Sequence, residues 1–198
     1  MARPRSPEKK EWIRKAAIRV ISEEGFHRCT TDKIAEEAGV SVGTIYNYFS
    51  DKTDILSYIF RVEHKKLNIY FQRVSSKDLS VPEKIKILIE KYYKYVFNNK
   101  RLARIIHDES NKTSEDLTQE IFNYILDIRK NLKALLQEGI EEGTIYSEPD
   151  LDMMVNMLLG SVNAIAFLGY LKPEKVDYIC STAADNLYVM LSRGIFLT

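Results

Sequence analysis

Apolar side chains recur every three or four positions along most of the chain, which is the spacing of one face of an α-helix. Later stretches repeat this spacing after Asp51, after Ser80, after Asn99 and from Ser114 to Gly143. No β-strand alternation and no internal repeat is evident, so the pattern predicts an all-α protein. In the first predicted helix, which opens at Ser6 and Pro7, the apolar positions are Trp12, Ile13, Ala16, Ala17, Val20 and Ile21.

The last two predicted helices, about residues 150–169 and 174–193, are apolar on more than one face. A helix that is apolar all round has to be covered on all sides in water. Four residues that could permit close helix contact are Gly160, Ser161, Ala164 and Gly169. A four-helix interface formed by two copies of the chain accounts for this pattern, and a core helix within one copy is the alternative.

Two short predicted helices with a glycine between them occupy residues 31–49. We expect Thr31 to cap the first helix, because its hydroxyl can accept a hydrogen bond from an unsatisfied N–H group. Ile34 and Ala38 would form the inner face of this helix. Gly39 would end it by adopting a left-handed backbone conformation.

We expect Ser41 to cap the second helix. Its inner residues, Ile45 with Tyr48 or Phe49, would face Ala35, whose small side chain lets the two helices cross closely. This arrangement is a helix-turn-helix. On the spacing alone, a helical hairpin inside an all-α core is the alternative.

The outer face of the second helix is small or polar near its N-terminus, which suits a helix end that enters a major groove of DNA. Gly43 is the informative residue, because glycine costs about 1 kcal/mol relative to alanine inside a helix. Close approach of its backbone to DNA would explain the choice. The outer residues are Ser41, Val42, Gly43, Thr44, Tyr46 and Asn47.

The run from Thr30 through GVSVGTIYNYFSDKTDIL closely resembles the DNA-binding region of TetR-type transcriptional regulators, and the preceding helix ends in Glu24, Gly25 and Phe26. The resemblance covers roughly the first quarter of the chain. The helical length that follows suits the ligand-binding domain of the same family.

For the whole chain, the resemblance implies an N-terminal three-helix helix-turn-helix DNA-binding domain at 1–52. A C-terminal helical effector-binding and dimerisation domain would occupy 53–198. The helix that follows Asp51 would join the two domains and carry a change of shape between them.

In function, the resemblance implies a homodimer that binds a palindromic double-stranded operator, acts as a repressor and releases DNA when a small hydrophobic molecule binds. Thr31 and Lys52 would bind phosphates, and Val42 could make an apolar contact with a thymine methyl group. Tyr48 would meet the DNA backbone or belong to the core. The DNA-binding residues implied are Thr31, Val42, Gly43, Thr44, Tyr46, Asn47, Tyr48 and Lys52.

Polar and aromatic side chains within the otherwise apolar helices of the second domain are candidates for an effector pocket, and local hydrogen bonding is the alternative for each. They are Tyr92, Tyr95, Arg104, His107, Asn123, Asn156, Asn163 and Phe167.

The stretches LARIIHDES, QEGIEEGTI and LLGSVNAIAF are similar to the fatty-acid-responsive subgroup of the family, whose members sense long-chain acyl-CoA. The resemblance therefore implies acyl-CoA as the effector, with Arg104 as the partner of its negatively charged group. A hydrophobic drug or an aromatic effector stays open.

The composition, with 45% hydrophobic residues, 29% charged residues and a net charge of +1, is that of an ordinary globular protein and not of a general polycation. Residues 1–20 differ, because seven cations against two acids give a local charge of +5. A basic segment beside the hairpin suits phosphate contact, and a solvated helix face is the alternative. Arg3 and Arg5 would enter a minor groove or form a disordered tail.

Other classes of protein find little support in the sequence. Cys29 and Cys180 have no metal-ligand spacing, and they fit a reducing cytoplasm. His27, His64 and His107 lie at unrelated positions, so we expect neither a catalytic site nor a metal or cofactor. No signal peptide or membrane span is predicted. The remaining rival is a ligand-binding or scaffolding helical protein whose hairpin does not bind DNA.

Overall fold

The structure is a computed structural model that describes residues 6–110, 118–147 and 150–192. Helices account for the regular structure of these ranges, and no strand occurs in them, which confirms the all-α prediction. A short 3-10 turn at Pro173–Lys175 precedes the last helix. The helices are α1 (Pro7–Glu24), α2 (Thr31–Ala38), α3 (Val42–Tyr46), α4 (Lys52–Ser75), α5 (Val81–Asn98), α6 (Lys100–Ser110), α7 (Gln119–Glu141), α8 (Leu151–Leu171) and α9 (Val176–Ser192).

The described residues pack into two compact units. The first contains residues 6–66 together with the described parts of 100–125, and the second contains the rest. The helix α4 contributes its beginning to the first unit and its end to the second. The domain boundary predicted between residues 52 and 53 falls at the start of α4 and stays a prediction.

In the first unit, α1 packs against α2 and α6 through the apolar stripe that the sequence predicted. Ile13, Ala16 and Ala17 are fully buried. Trp12 was wrongly placed in this stripe, because its side chain is 54% exposed. One residue is about 100° of helix rotation, so Trp12 turns away from the side that Ile13 buries.

A buried ion pair joins α1 to α4 inside the first unit. The side chain of Arg14 donates from Nη1 to Oε1 of Glu63 at 3.0 Å, and from Nε and Nη2 to the two carboxylate oxygens of Glu11 at 2.8 and 2.7 Å. Lys66 Nζ lies 2.8 Å from the same Glu63 oxygen. The hydrogen bonds from Arg14 lower the pKa of the Glu11 carboxyl. Arg14 is only 6% exposed, so it belongs to the core and not to a phosphate-binding surface.

In the second unit, α5 packs against α8 and α9, and α8 packs against α9. The packing of α8 on α5 requires a glycine at position 169, because a Cβ there would lie 2.2 Å from Cε1 of Phe97 on α5. This part of the predicted small-residue stripe therefore serves packing within one copy. The buried side chains of the unit include Ile85, Ile89, Tyr93, Leu135, Leu158, Ile179 and Leu187.

Two helix starts in the second unit can be compared with the sequence prediction. At α5 the Glu83 carboxylate accepts hydrogen bonds from the N–H and O–H of Ser80, at 2.9 and 2.7 Å. These bonds lower the pKa of Glu83. At α8 the cap is Asp150, which accepts from the Met153 N–H at 2.8 Å, close to the predicted start at about residue 150.

The starts of α7 and α9 can also be compared with their predicted positions. The predicted start of the long helix at Ser114 lies outside the described residues, and the helix itself is described from Gln119 to Glu141. The last helix starts at Val176, after the 3-10 turn, and not at 174.

The helix α8 contains the one stretch among the described residues that is long and apolar enough to cross a membrane, Leu151–Gly169. Only 28% of this window is buried within the chain. Large apolar side chains are therefore exposed along α8, including Met157 at 69%, and along α9, including Met190 at 71%. The described residues of one copy leave this surface uncovered.

Replacing Glu63 by alanine should lower the free energy of unfolding by about 3 kcal/mol, because it leaves the Arg14 guanidinium buried without one of its partners. Glu11 remains, which keeps the cost near the lower end of the range for a broken buried pair. Urea unfolding followed by circular dichroism measures the change. Glu120→Ala, which removes the exposed 3.3 Å pair with Arg61, should cost about 1 kcal/mol or less. Equal losses in both variants would contradict a structural role for the buried pair.

Candidate nucleic-acid interface

The helix α2 begins at Thr31 itself, so its cap lies one residue earlier than predicted. Thr30, and not Thr31, is the N-cap: its backbone is extended, with φ −118° and ψ 159°, and its Oγ1 accepts from the Lys33 N–H at 3.3 Å. The hydroxyl of Thr31 is thereby released from capping. It lies 3.4 Å from the hydroxyl of Tyr46 on α3.

The turn between α2 and α3 follows the prediction. Gly39 has a left-handed backbone with φ 65°, and its N–H donates to the Glu36 carbonyl at 3.0 Å. Ser41 caps α3, since its Oγ accepts from the Thr44 N–H at 3.2 Å. Both capping predictions are confirmed.

The inner side of α3 is fixed by Ile45, which is fully buried, as are Ile34 and almost all of Ala35 on α2. The helix ends at Tyr46, so Phe49 is buried from the turn that follows and not from α3 itself. Ala38, predicted for the inner face of α2, is only half-buried. A five-residue helix is thus held to the unit by one central side chain and by its cap.

The outer side of α3 is accessible to solvent. Tyr46 is 54% exposed, Gly43 and Asn47 are exposed, and Val42 and Thr44 are half-buried. A Cβ at Gly43 would meet nothing closer than Ser41 Oγ at 4.0 Å. Packing within the chain therefore does not require a glycine there.

Tyr48 ties the turn after α3 to the beginning of α1. Its hydroxyl accepts from the Ser6 N–H at 2.8 Å, and its side chain is half-buried. This contact is closer to the core alternative than to the DNA alternative. The backbone contact with DNA stays a prediction for this residue.

Lys52 makes contacts that the sequence did not suggest. Its Nζ donates to the backbone carbonyls of Phe26, His27 and Cys29 at 3.0, 3.0 and 3.1 Å. The phosphate contact of Lys52 stays a prediction.

Several cations near the hairpin already have partners within the chain. Arg19 pairs with Glu37 on α2, and Lys33 pairs with Glu24 at 2.6 Å. Lys10 Nζ lies 4.2 Å from the centroid of the Tyr58 ring. The local charge of +5 thus overstates what is offered to phosphates. Arg3 and Arg5 lie outside the described residues.

The candidate effector residues are distributed over both units. In the second unit, Tyr92 and Asn163 are brought together, because the tyrosine hydroxyl donates to Asn163 Oδ1 at 2.8 Å. Asn156 accepts from Arg129 at 3.1 Å, Phe167 is exposed, and Tyr95 is half-buried.

The other three candidates are exposed and lie in the first unit. Arg104 Nε and His107 Nδ1 lie 3.6 and 3.3 Å from carboxylate oxygens of the same residue, Asp108. Asn123 accepts from Gln119 at 2.9 Å. Their assignment to the effector stays a prediction.

Tyr93 is a residue of interest that the sequence analysis missed. It is fully buried on α5, and its hydroxyl has no hydrogen-bond partner among the described residues. Burial raises the pKa of this phenol. The only signal in the sequence was its place on the apolar stripe with Ile85 and Ile89, which marks core position and not chemistry.

The capped α2–turn–α3 hairpin, with its short second helix exposed on one side and anchored on the other, defines a DNA-binding protein of the helix-turn-helix class. Comparison with known families gives two matches. The model for bacterial regulatory proteins of the tetR family matches residues 13–59, and the model for the tetracyclin repressor-like C-terminal domain matches residues 78–167. The chain belongs to the TetR family.

Relatives with the same organisation match nearly the whole chain. The fatty acid metabolism regulator protein of Bacillus subtilis is 29% identical over 183 residues, which are 91% of this chain and 92% of the relative. The fatty acid degradation regulator FadR from Bacillus halodurans has a TM-score of 0.82 at 29% identity, covering 97% of this chain and 98% of that one. FadR from Bacillus subtilis in complex with stearoyl-CoA has a TM-score of 0.77 at 28% identity, covering 91% and 96%.

These matches confirm the predicted class of function. The chain is a ligand-responsive DNA-binding transcriptional regulator and not an enzyme.

Replacing Gly43 by alanine should separate folding from DNA binding. The new Cβ has room in the free protein, and alanine favours the helix by up to about 1 kcal/mol, so thermal stability should not fall. Affinity for the chain's own upstream DNA should fall about tenfold or more, as a lost base-edge contact costs roughly 1–3 kcal/mol. Fluorescence anisotropy and thermal unfolding give the two readouts.

Gly139→Ala is the matched control for this change. There the new Cβ would lie 2.6 Å from Ile145 Cδ1, so stability should fall. Undiminished DNA affinity in the Gly43 variant would refute the close approach of α3 to DNA.

Proposed function

We propose that the chain is a cytoplasmic transcriptional repressor that binds a palindromic operator as a homodimer and is released from it by long-chain acyl-CoA. The observation that carries the DNA-binding assignment is the exposed outer face of α3, with a glycine that the fold itself does not use. Val42, Gly43, Thr44, Tyr46 and Asn47 face base edges or nearby phosphates.

Thr31 binds a phosphate in this arrangement, because its hydroxyl is free of capping and lies beside Tyr46. The two recognition helices of a dimer then occupy half-sites about 34–36 Å apart along the DNA, or a multiple of that distance. Phosphate contacts set the orientation, and the few side chains of α3 supply the sequence preference.

The exposed apolar surface of α8 and α9 forms the dimer interface. Gly160 supports this assignment, because a Cβ there would have no atom within 4 Å among the described residues, apart from its chain neighbours and the backbone of its own helix. A glycine in the middle of a helix without a reason inside the chain is explained by a partner helix that approaches closely. Met157 and Met190, with exposed thioether side chains, fill the contact between copies.

Replacing Met157 by lysine should shift the protein from dimer to monomer, since it places a charge in an apolar interface. Sedimentation velocity at micromolar concentration measures the change. Tyr146→Lys, at an exposed loop position of the same unit, is the control and should leave the dimer intact. A wild-type protein that stays monomeric and co-sediments with lipid vesicles would contradict the assignment of α8 to a dimer interface.

The effector assignment starts from FadR of Bacillus subtilis, which is described in complex with stearoyl-CoA. In this chain, the second unit offers apolar helices with few polar groups, the composition that suits an apolar ligand with one polar end. Tyr92 and Asn163 form one such polar pair, and the buried Tyr93 hydroxyl is a donor with no acceptor among the described residues.

Release of DNA works through α4, which belongs to both units. The buried pair of Arg14 with Glu63 makes α1 follow a displacement of α4, and the helix-turn-helix rests on α1. To convert a 99:1 ratio of the DNA-binding state to the released state into 1:99, the effector must bind the released state about 10⁴-fold more tightly.

Stearoyl-CoA added to the complex with upstream DNA should lower the operator affinity, whereas coenzyme A alone should not. Anisotropy of a labelled fragment, at two salt concentrations and against a random fragment, measures affinity and preference together. Specific binding should persist over random DNA while both affinities fall with salt.

The outcomes of this titration separate the parts of the proposal. Unchanged operator affinity at saturating stearoyl-CoA would refute the effector and leave DNA binding intact. Equal affinity for upstream and random DNA would refute the repressor and favour a helical ligand-binding or scaffolding protein.

A further inference from the structure

The side chain of Tyr93 on α5 is completely buried, and its hydroxyl has no hydrogen-bond partner among the described residues. A buried O–H that gives up water without gaining a partner costs free energy. Packing alone therefore gives no reason for a hydroxyl at this position, since phenylalanine would fill nearly the same space. Burial also raises the pKa of the phenol, so the group is a neutral donor.

The surroundings of the Tyr93 ring are apolar. Ile89 and Phe97 lie one turn before and one turn after it on the same face of α5, and both are buried. The Phe97 ring is stacked on the Tyr93 ring with centroids 6.3 Å apart, and it occupies the place that a Cβ at Gly169 of α8 would need. Stacking against this wedged phenylalanine restricts the Tyr93 ring, so its hydroxyl is held in the interior.

A polar pair at the surface lies next to this buried phenol. The ring centroids of Tyr92 and Tyr93 are 5.7 Å apart, and the Tyr92 hydroxyl donates to Asn163 Oδ1 of α8 at 2.8 Å. Asn163 is exposed, whereas Tyr93 is fully buried. Polarity therefore falls from the surface to the interior over two adjacent residues of α5, with the Tyr93 donor at the inner end.

A long-chain acyl-CoA has a matching gradient of polarity. Its acyl chain is apolar, its coenzyme A part is polar and charged, and a thioester joins the two. A thioester has an acceptor oxygen and no N–H or O–H, so one buried donor satisfies it. The amides of the coenzyme A part each bring an N–H as well, which would need a buried acceptor. A buried donor beside an apolar interior therefore suits the thioester better than those amides.

We propose that the Tyr93 hydroxyl determines effector specificity by donating a hydrogen bond to the thioester carbonyl oxygen of the bound acyl-CoA. The acyl chain then extends into the apolar interior of the second unit, and the coenzyme A part lies on the side of Tyr92 and Asn163. The inference rests on the proposed function for the identity of the effector. Its energetic basis does not, because within the described residues the hydroxyl has no partner to give up when an acceptor arrives.

A matched pair of ligands tests this hydrogen bond directly. S-octadecyl-CoA has a methylene group in place of the carbonyl group of stearoyl-CoA and is otherwise the same molecule. The wild type should bind stearoyl-CoA about tenfold more tightly than the thioether, as measured by isothermal titration calorimetry.

Removal of the hydroxyl should abolish this preference. In Tyr93→Phe the preference for the thioester should shrink to about twofold or less, through weaker binding of stearoyl-CoA and unchanged binding of the thioether. Tyr70→Phe, which removes a half-buried hydroxyl from the part of α4 in the same unit, is the control and should keep the wild-type preference.

Thermal unfolding of the ligand-free protein gives a second readout, which a purely structural hydroxyl would move in the opposite direction. Tyr93→Phe should be at least as stable as the wild type, because it removes a buried polar group that has no partner among the described residues. A clear loss of stability, or failure of the variant to fold, would overturn the proposal, since the hydroxyl would then serve the fold.

The ligand titrations also separate this inference from the proposed function. Equal affinity of the wild type for the two ligands would refute the role of Tyr93 and leave acyl-CoA as the effector, and this comparison needs no variant. A full preference retained in Tyr93→Phe would assign the carbonyl to another donor. Binding of neither ligand to the wild type would refute the effector itself, and the inference with it.

Discussion

The burial of Ile45 is the interaction on which the rest of the structure depends. The helix α3 has five residues, far fewer than the roughly 12–15 that an isolated helix needs to persist in water. Its stability must therefore come from tertiary contact, and Ile45 is its one fully buried side chain. Because a single residue on the inner side suffices, the residues around it are left to face outward. The inner side of α3 thus stabilises the fold, and its outer side presents the residues that would contact DNA.

The features that the sequence predicted well are those set by neighbours in the chain. Gly39 with its positive φ and Ser41 with its bond to Thr44 depend on residues within three positions, and both follow from local backbone chemistry. The apolar stripe of α1 is also local, since helix rotation fixes it. Even so, Thr30 and Thr31 were confused, because two adjacent hydroxyls can both cap and only the backbone angles decide between them.

The features that it could not predict involve partners far apart in the sequence. Arg14 meets Glu63 across 49 positions, and Lys52 meets the Phe26 carbonyl across 26. Both residues have the charge expected of a phosphate ligand. Nothing in the pattern of charges reveals that Arg14 pairs with a carboxylate of α4, or that Lys52 of α4 donates to backbone carbonyls. Counting cations near a helix-turn-helix therefore overestimates the positive surface offered to DNA, because the first unit also uses cations to join its helices to one another.

Three glycines show how partners outside the chain can be inferred from what the chain does not need. Gly169 has an intramolecular reason, since Phe97 occupies the space of its Cβ. Gly43 and Gly160 have none among the described residues. Apart from chain neighbours and the helix's own backbone, a Cβ at Gly43 would come no closer than 4.0 Å to any atom, and a Cβ at Gly160 would have no atom within 4 Å. Each sits in a helix, where glycine destabilises relative to alanine by about 1 kcal/mol. The two positions lie on the two surfaces assigned to DNA and to a second copy, and the assignments rest on different helices with different exposed chemistry. The polar outer face of α3 suits DNA, and the apolar face of α8 suits a second copy of the chain. A dimeric DNA-binding protein needs both surfaces on each chain.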